Sequence, residues 1–241
     1  MNEPNIVAGL RPGISIVLPA LNEEQNIEDL ADEIRAYFSG KQIQYEIIFV
    51  DDGSADKTGQ IADRLSQDDS NISVIHHSVN KGYGKSLRDG FQAAKYEYLF
   101  YTDADRQFKI SGLDKFQPFI EDGGYDMIIG YRVDRQDIFL RKFLAWGFNK
   151  IVSILFSLKV KDIDCAFKLF KRTSYRKLVL TADDFLIDTE MLVRARLHRF
   201  KYTQVGVKHY PRARGESTVS FKHVLATIKG IIALYWDVKK L

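Results

Sequence analysis

Cysteine is almost absent from this sequence of 241 residues, which contains only Cys165. One cysteine cannot form a disulfide framework, and no cysteine and histidine residues have the spacing of zinc ligands. A reducing, cytosolic compartment fits this composition. At 45% hydrophobic residues the chain can bury a full core, either as one large domain or as a domain with an appendage.

Long hydrophobic runs are also missing. No uncharged apolar stretch reaches the roughly 18–20 residues that a helix needs to span a bilayer, so we expect that the protein does not cross a membrane by itself. Residues 1–12 lack the basic region and the apolar core of a signal peptide, and we interpret them as a short tail.

An excess of charge of one sign is absent too, since 35 Lys and Arg residues face 32 Asp and Glu residues and the formal net charge is +3. The two signs are nevertheless unevenly distributed. Acidic residues crowd the first half, whereas basic residues form a late cluster that can bind phosphates or an anionic surface. The cluster consists of Arg194, Arg196, Arg199, Lys201, Lys208, Arg212 and Arg214.

Two glycine-rich nucleotide-binding motifs are approached by the sequence but not completed. Residues 84–86 (GKS) match the end of a Walker A loop, but Val79 stands where the first glycine belongs. Residues 82–84 (GYG) can begin a dinucleotide fingerprint, but Leu87 stands at the third glycine position. We therefore interpret this segment as a glycine-rich entry to a helix, with Lys81 nearby.

What the sequence does contain is a regular alternation of strand and helix patterns. Short apolar runs predict strands at residues 14–19, 45–50, 72–75, 98–102 and 127–129. Apolar residues at helical spacing predict helices over residues 25–38, around 61–65, over 86–94 and around 113–120. Alternation of this kind predicts an α/β protein with a parallel sheet that helices cover on both faces.

The pattern centres on residues 98–105 (YLFYTDAD), an apolar run that ends at Asp103 and Asp105. The run predicts a strand buried on both faces, and carboxylates at its end are unfavourable unless a cation neutralises them. A divalent ion that bridges to phosphate oxygens is the usual solution, so a metal–diphosphate site is the leading hypothesis. The alternative, that both aspartates only cap the next turn, stays open.

Polar residues also follow the first two predicted strands. Asn22, Glu23 and Glu24 follow the first, and Asp51 and Asp52 follow the second. Ligands of open parallel sheets bind beyond the C-terminal ends of the strands. Each group alone is compatible with turn chemistry, but together with the Asp-x-Asp pair they favour a shared ligand pocket.

Residues 18–24 (LPALNEE), 50–54 (VDDGS) and 102–105 (TDAD), at these spacings, resemble the family 2 inverting glycosyltransferases of the GT-A fold. Within that family the likeness points to the dolichyl-phosphate mannose synthase branch, which transfers sugars to polyprenyl phosphates. Each motif is weak alone, but the ordered set is specific. The resemblance continues at residues 80–86 (NKGYGKS), 130–132 (GYR), 162–170 (DIDCAFKLF), 188–190 (DTE) and 211–217 (PRARGES).

The resemblance implies a Rossmann-like GT-A fold with a mixed, mainly parallel sheet, helices on both faces and amphipathic interfacial helices. It implies a glycosyltransferase domain over residues 13–218 that follows the tail at residues 1–12. Residues 13–132 of that domain would bind the nucleotide and residues 133–218 the acceptor. A C-terminal amphipathic helix would occupy residues 219–241.

By position, the resemblance also assigns the donor-binding residues. Pro19, Asn22, Glu23 and Asp52 would line the nucleotide pocket, where Asp52 can accept a hydrogen bond from a base N–H. The resemblance also assigns Lys81 to donor binding.

Further residues implied by the resemblance would handle the phosphates. Asp103 and Asp105 would hold Mg²⁺ or Mn²⁺ against the donor diphosphate and so offset the charge that grows on the leaving nucleoside diphosphate. Arg132 would contact the donor sugar or phosphates. Arg212 and Arg214 would clamp the diphosphate or the acceptor phosphate through their guanidinium groups.

Catalysis would involve Asp105, Arg132, Asp162 and Asp164 if the resemblance holds. A hydroxyl acceptor needs a base, whereas a phosphate acceptor is already ionised. Asp162 and Asp164 match the acidic site of the family, so either would orient the acceptor or act as the base. The alternative for each is a turn aspartate that caps a helix.

Other residues have no single interpretation. Asp188 and Glu190 would support the active site or pair with Arg194 in the same helix. Arg106 follows the Asp-x-Asp motif where related sequences more often have glycine or an apolar residue, and nothing in the sequence explains it.

Two late stretches have wide apolar faces. Over residues 139–158 the polar side chains fall within about half of a helical wheel, opposite a face rich in aromatic residues. Residues 221–238 also place most of their large apolar side chains on one side. Such helices suit a bilayer interface, although packing on the protein's own sheet or on another subunit is the open alternative. The resemblance favours peripheral membrane binding.

The sequence therefore predicts a metal-dependent hexosyltransferase that uses GDP-mannose or UDP-glucose and a polyprenyl phosphate, dolichyl or undecaprenyl. The alternatives are a transferase for a soluble saccharide or protein acceptor and a non-catalytic nucleotide-sugar-binding module. Expected partners are the donor, the lipid acceptor, the cytoplasmic face of a membrane, and a second copy or a membrane protein. We expect no nucleic acid partner.

Overall fold

The protein is described by a computed structural model over residues 13–133, 139–212, 214 and 221–239, without the side chains of residues 139–146, 221–226 and 228. The predicted tail, residues 1–12, lies outside the described residues. Along the chain the elements are β1 (Ile14–Ala20), α1 (Ile27–Phe38), β2 (Tyr45–Asp51), α2 (Thr58–Asp68), β3 (Ile72–His76), α3 (Tyr83–Ala93), β4 (Tyr98–Thr102), a 3-10 helix (Ile110–Lys115), α4 (Gln117–Asp122), β5 (Met127–Val133), α5 (Phe139–Phe156), β6 (Phe167–Lys171), α6 (Arg172–Tyr175), α7 (Leu186–Leu197), β7 (Tyr202–Lys208) and α8 (Phe221–Lys239).

The five predicted strands are present as β1 to β5, and helices lie where the apolar spacing predicts them. The helix predicted around residues 113–120 is divided into the 3-10 helix and α4. Pro118 lies in the first turn of α4, where its missing N–H is tolerated, and it would break a continuous helix. The apolar pattern does not reveal β6 or β7, because Lys168 interrupts the first and polar residues alternate through the second.

The strands form one seven-stranded sheet in the order β3-β2-β1-β4-β6-β5-β7. β3, β2, β1 and β4 are parallel and β7 is parallel to β5, whereas β6 is antiparallel to both neighbours. The mixed, mainly parallel sheet is confirmed: the five strands predicted from alternation all run parallel, and β6, which the apolar pattern does not predict, is the antiparallel strand. The reason is that the chain re-enters the sheet at the end where β5 leaves it, so Phe167 pairs with Thr102.

The centre of the sheet is closed to water on both faces, since every residue of β1 and of β4 is buried. From β1 the chain order continues outward through β2 and β3 on one side, while β4 lies on the other. The crevice beyond the C-terminal ends of β1 and β4 is therefore the topological switch point, where open α/β sheets bind ligands. The predicted acidic residues follow these strand ends.

Helix α3 approaches the sheet closely through a glycine. A Cβ atom added to Gly90 would lie 2.3 Å from Val17 Cγ1 and 3.1 Å from Val50 Cγ2. Any side chain there would push α3 away from β1 and β2. Because α3 begins at the glycine-rich loop, this contact also fixes the distance between that loop and the sheet.

The two predicted amphipathic helices are present as α5 and α8, which contact each other. Val152 and Phe156 of α5 are buried, as are Ile231 and Leu234 of α8. Each helix nevertheless keeps large apolar side chains exposed, at 42% to 69% of their surface: Ile151, Ile154, Leu155, Ile232 and Trp236. One part of each apolar face therefore packs inward while another part faces outward.

No helix within the described residues is long and apolar enough to cross a bilayer. The aromatic residues predicted for the interface at the start of α5, among them Phe143 and Trp146, lie outside the described side chains.

We expect Gly90→Ala to lower the free energy of unfolding by about 1–3 kcal/mol, because the added methyl group overpacks the α3–sheet contact. The measurement is urea unfolding followed by circular dichroism. Gly147→Ala in α5 is the matched control, since a Cβ there meets no atom within 4 Å. Alanine in that open helical position should stabilise by up to about 1 kcal/mol. Equal effects of the two substitutions would contradict the close approach.

Candidate active site

The loops that follow β1 and β2 are joined by hydrogen bonds. The Asn22 side-chain oxygen accepts from the Ala55 N–H at 2.8 Å, and the Asn22 N–H donates to Ser54 Oγ at 3.0 Å. Asn22 has a φ of 56°, in the left-handed region that asparagine tolerates better than most residues. The Glu23 N–H donates to Thr58 Oγ1 at 2.8 Å. The two loops therefore form one continuous wall beside the switch point.

Asp52 organises the loop that leads into α3. Its carboxylate accepts hydrogen bonds from the N–H groups of Lys81, at 2.8 Å, and Gly82, at 2.9 Å. His77 Nδ1 lies 2.7 Å from the same carboxylate, while His77 Nε2 lies 3.0 Å from Asp89. Gly82 has a φ of 99°, which a residue with a side chain rarely adopts. Asp52 thus holds residues 77–82 against the end of β2.

The other predicted donor-binding residues differ in exposure. Pro19 is buried within β1, where it pairs with Val50 in the parallel register. The side chain of Lys81 is exposed, and its backbone supplies the contact to Asp52. A direct nucleotide contact for either residue stays a prediction.

Asp103 and Asp105 lie together at the end of β4. Asp103 accepts a hydrogen bond from the Tyr83 hydroxyl at 2.8 Å, and Asp105 accepts one from the Gln107 N–H at 3.0 Å. Burial, and then the charge of Asp105, raise the pKa of Asp103 well above its ordinary value despite the Tyr83 hydrogen bond. A half-buried and a buried carboxylate that repel each other in this way favour binding of a cation.

Arg212 links the ends of β1 and β4. Its guanidinium donates to Glu23, and Nη1 lies 3.7 Å from Asp105 Oδ2. Arg214, by contrast, lies 3.6 Å from Asp29 on α1. The two arginines predicted to clamp a phosphate therefore lie at different places. Arg212 lies beside Glu23 and Asp105, whereas Arg214 lies beside α1.

Arg132 at the end of β5 binds Asp162 with both branches of its guanidinium. Nε and Nη2 each lie 2.7 Å from a carboxylate oxygen, and the Arg132 backbone N–H donates at 3.1 Å. The two side chains are 11% and 7% exposed, so this is a largely buried ion pair. Asp162 therefore anchors the loop between α5 and β6.

Asp164 in the same loop differs from Asp162. Burial, and then the nearby charge of Asp188, raise the pKa of Asp164 to about 6. Within the described part of the chain, no hydrogen bond to its side chain is formed, whereas Asp162 is held by Arg132. Of the two predicted candidates, Asp162 is therefore the one whose carboxylate is held by a described side chain.

Asp188 and Glu190 have separate roles. Glu190 accepts from Arg194 Nε at 2.9 Å, which confirms the predicted pairing within α7. Asp188 instead accepts hydrogen bonds from Lys168 and from the Tyr101 hydroxyl, deep below the site. The buried side chains of Asp188, Lys168 and Tyr101 therefore support the site from below.

Arg106 has a structural explanation. Its φ of 60° lies in the left-handed region, where glycine is the favoured residue. The side chain donates to Asp29 and lies 3.9 Å from Glu33, both on α1. The turn after the metal-site carboxylates is therefore held by ion pairs to α1.

Sequence patterns miss four residues of this site: His77, Tyr83, Tyr101 and Lys168. Their partners lie 25, 20, 87 and 20 positions away in the chain, respectively. The one local signal is Lys168, a charged residue inside an apolar strand. The other three look like ordinary turn or core residues.

The described residues contain no group of three or more His, Cys, Asp or Glu side chains that could hold a metal alone. Asp103 and Asp105 instead fit a Mg²⁺ or Mn²⁺ ion of the kind that keeps water and substrate phosphates as its remaining ligands.

Comparison with known sequences identifies the family and many relatives. A family model described as Glycosyl transferase family 2 matches residues 15–179. Glycosyltransferase AglD of Haloferax volcanii is 29% identical over 235 residues, which cover 93% of this chain and 37% of that protein. The Dolichyl-phosphate beta-glucosyltransferase of Drosophila melanogaster is 30% identical over 217 residues, which cover 81% of this chain and 66% of that protein. The chain thus spans less than two thirds of the length of these relatives.

Two solved structures have the same fold. Glucosyl-3-phosphoglycerate synthase from Mycobacterium tuberculosis, in complex with Mn²⁺, UDP-glucose and phosphoglyceric acid, gives a TM-score of 0.69 at 20% identity, covering 92% of this chain and 78% of that one. Mannosyl-3-phosphoglycerate synthase from Rubrobacter xylanophilus gives 0.72 at 15% identity, covering 95% and 74%. At these identities the likeness shows the fold alone.

We expect Asp162→Ala to destabilise the protein by about 3–5 kcal/mol, because it leaves the buried Arg132 guanidinium unpaired. Arg132→Met in that background should recover part of the loss, with a coupling energy of about 1–3 kcal/mol in the double-mutant cycle. Urea unfolding measures both. The exposed pair Lys41–Asp114 is the control, where Asp114→Ala should cost less than about 1 kcal/mol. Additive effects at Arg132 and Asp162 would exclude the ion pair.

Proposed function

We propose that this chain, which belongs to glycosyl transferase family 2, transfers a hexose from a nucleoside-diphosphate sugar to a polyprenyl phosphate with inversion. The family assignment agrees with the GT-A sheet described above. The observation that carries the proposal is the pair Asp103 and Asp105 at the switch point of that sheet. The relative from Drosophila melanogaster, named a dolichyl-phosphate beta-glucosyltransferase, supports the class of acceptor.

Asp103 and Asp105 would hold a Mg²⁺ or Mn²⁺ ion, which when bound supplies positive charge to the leaving diphosphate. The chain's part is to orient both carboxylates, through the Tyr83 hydroxyl and the Gln107 N–H. Arg212 lies beside Asp105 and presents a planar set of donors suited to a phosphate. The raised pKa of Asp103 is the physical reason for a cation here.

The contacts of Asp52 bear on the choice of nucleotide. A carboxylate offers about four acceptor positions, and His77, Lys81 N–H and Gly82 N–H occupy three of them. Uracil presents a single N–H group, whereas guanine presents an N–H and an amino group side by side. One remaining acceptor position therefore favours uracil, and we rank UDP-glucose above GDP-mannose. The relative from Drosophila melanogaster, named a dolichyl-phosphate beta-glucosyltransferase, supports glucose as the sugar.

In the proposed reaction an oxygen of the acceptor phosphate forms a bond to C1 of the hexose. The bond between C1 and the donor diphosphate breaks, and its electron pair leaves with the nucleoside diphosphate. No proton has to be removed from an ionised phosphate, so a base is not required. We assign Asp164 to orientation, since its carboxylate can accept a hydrogen bond from a hydroxyl group of the sugar.

A soluble hydroxyl acceptor is the second candidate, and Asp164 is the observation that favours it. A carboxyl group whose pKa is raised to about 6 is suited to remove the proton of an attacking hydroxyl. In that reaction Asp164 would be the base.

We also propose that the protein binds the cytoplasmic face of a membrane through an α5–α8 apolar face, defined as Ile151, Ile154, Leu155, Ile232 and Trp236. These side chains lie exposed on two helices in contact with each other, and a polyprenyl phosphate presents its head group at a bilayer surface. Exposed lysines lie on the same helices and can meet anionic lipid. A second copy or a membrane protein is the alternative occupant of this face.

We expect transfer from radiolabelled UDP-glucose to a short-chain polyprenyl phosphate in the presence of Mn²⁺, with GDP-mannose the poorer donor. EDTA and Asp105→Asn should each lower the rate about a hundredfold or more, because charge on the leaving group is then not offset. Asp68→Asn, at an exposed acid on α2, is the matched control and should leave the rate unchanged. Full activity in EDTA would exclude the metal mechanism. Transfer to soluble saccharides alone would favour the second candidate.

We expect the purified protein to co-sediment with anionic vesicles, and Ile154→Glu with Trp236→Glu to lower the bound fraction about tenfold, since buried apolar area drives such binding. Val179→Glu is the control, because Val179 is equally exposed, at 69%, but lies outside the α5–α8 apolar face. Unchanged binding of the double variant would contradict the proposal. A loss of oligomer in gel filtration without a loss of vesicle binding would instead assign the face to a second copy.

A further inference from the structure

Lys168 is a fully buried cation in the middle of β6, with 0% of its side chain exposed. It stands opposite Tyr101 in the antiparallel register, and its Nζ lies 3.0 Å from the Tyr101 hydroxyl. Nζ also donates to the Asp188 carboxylate. The remaining contacts are the backbone carbonyls of Ile163, at 3.0 Å, and Cys165, at 2.7 Å.

The buried charge of Lys168 is not explained by stability. Withdrawing an ammonium group and a carboxylate from water is unfavourable, and apolar residues of similar volume often serve a core equally well or better. On its own face of the sheet Lys168 lies directly between two buried residues, Tyr101 of β4 and Ile129 of β5. A leucine or methionine at this position would continue the core. The reason for the lysine therefore lies in the groups that it holds.

Those groups are the two peptide carbonyls on either side of Asp164. The rest of the loop is held from other directions, by Arg132 on the Asp162 carboxylate and by Asn149, whose side-chain oxygen accepts from the Ile163 N–H at 2.8 Å. Sequence patterning places Asn149 on the polar face of α5, yet it points toward this loop. The residues on both sides of Asp164 thus have their backbone held by hydrogen bonds, whereas none of the described residues bonds the Asp164 carboxylate.

The same cation also acts on the opposite side of the site. The Tyr101 hydroxyl donates to Asp188, and Lys168 Nζ lies 3.0 Å from the same hydroxyl. Tyr101 belongs to β4, two residues before Asp103. The Lys168–Asp188 pair is therefore bonded to β4 as well as to the loop. It connects β4, which carries the metal-site carboxylates, with the loop that carries Asp164.

We propose that Lys168 is a positioning residue that holds Asp164 in place relative to the Asp103–Asp105 site through the carbonyls of Ile163 and Cys165. The role in turnover rests on the proposed function. The role in holding the loop does not, and the two can be measured separately.

The first measurement is hydrogen–deuterium exchange of the peptide that contains residues 162–166. Lys168→Met should accelerate exchange there, because both carbonyls lose the ammonium donor and Cys165 keeps only the Phe167 N–H, at 2.8 Å. Lys171→Met is the matched control, since Lys171 lies in the same strand and donates to the Gly123 carbonyl instead. A Lys168→Met, Asp188→Leu double variant removes the unpaired carboxylate and keeps the test available if the single variant does not fold. Unchanged exchange in residues 162–166 would overturn the proposal.

The second measurement separates donor binding from turnover in the same variants. We expect kcat for transfer to fall about ten- to hundredfold, as for other groups that orient a reacting residue, while the Kd for UDP with Mn²⁺ changes less than threefold. Equal losses in donor binding and turnover would show a general structural role and overturn the proposal, as would faster exchange with unchanged kcat. If the wild type transfers no hexose to any acceptor, the proposed function fails, and the exchange result alone decides whether Lys168 holds the loop.

Discussion

Buried negative charge at the C-terminal edge of the sheet is the constraint on which the rest of the site depends. A carboxylate withdrawn from water is unfavourable unless donors or cations surround it. Most of the carboxylates here have such partners within the fold: Asp52 with His77 and backbone N–H groups, Asp162 with Arg132, Asp188 with Lys168, and Glu190 with Arg194. At Asp103 the balance is different, because burial and Asp105 still raise its pKa. That imbalance is the physical basis of the proposed divalent-cation site.

The parallel strands and the antiparallel strand β6 both contribute residues to this site. β1, β2 and β4 bring Glu23, Asp52 and Asp103 to one edge, since their C-terminal ends lie side by side. β6 enters from the same end, so the loop before it lies across the crevice from them. Lys168 and Asp188 connect the two halves beneath the surface. A reaction that needs a donor and an acceptor on opposite sides of one bond fits this geometry.

Much of this was predictable from local patterns. Five strands, the ligand edge and the Asp-x-Asp pair follow from apolar runs that stop at polar residues, because burial on both faces removes alternation. The apolar spacing predicts one continuous helix around residues 113–120, but Pro118 divides it in two. For the two amphipathic helices, the sequence leaves open whether the apolar faces lie at a bilayer or pack on protein. The structure shows that each helix both packs inward and leaves apolar side chains exposed.

Local sequence patterns predict the fold class, the strand ends and the carboxylates that gather at them, since these depend on neighbours within a few residues. The direction of β6, the pairing of Asp162 with Arg132 and the contacts of Lys168 emerge only once the chain is folded. Those partners lie 30 positions apart for Arg132 and Asp162, and 67 for Lys168 and Tyr101. Local sequence constrains neither pair, because each contact forms only when strands distant in the chain are placed side by side.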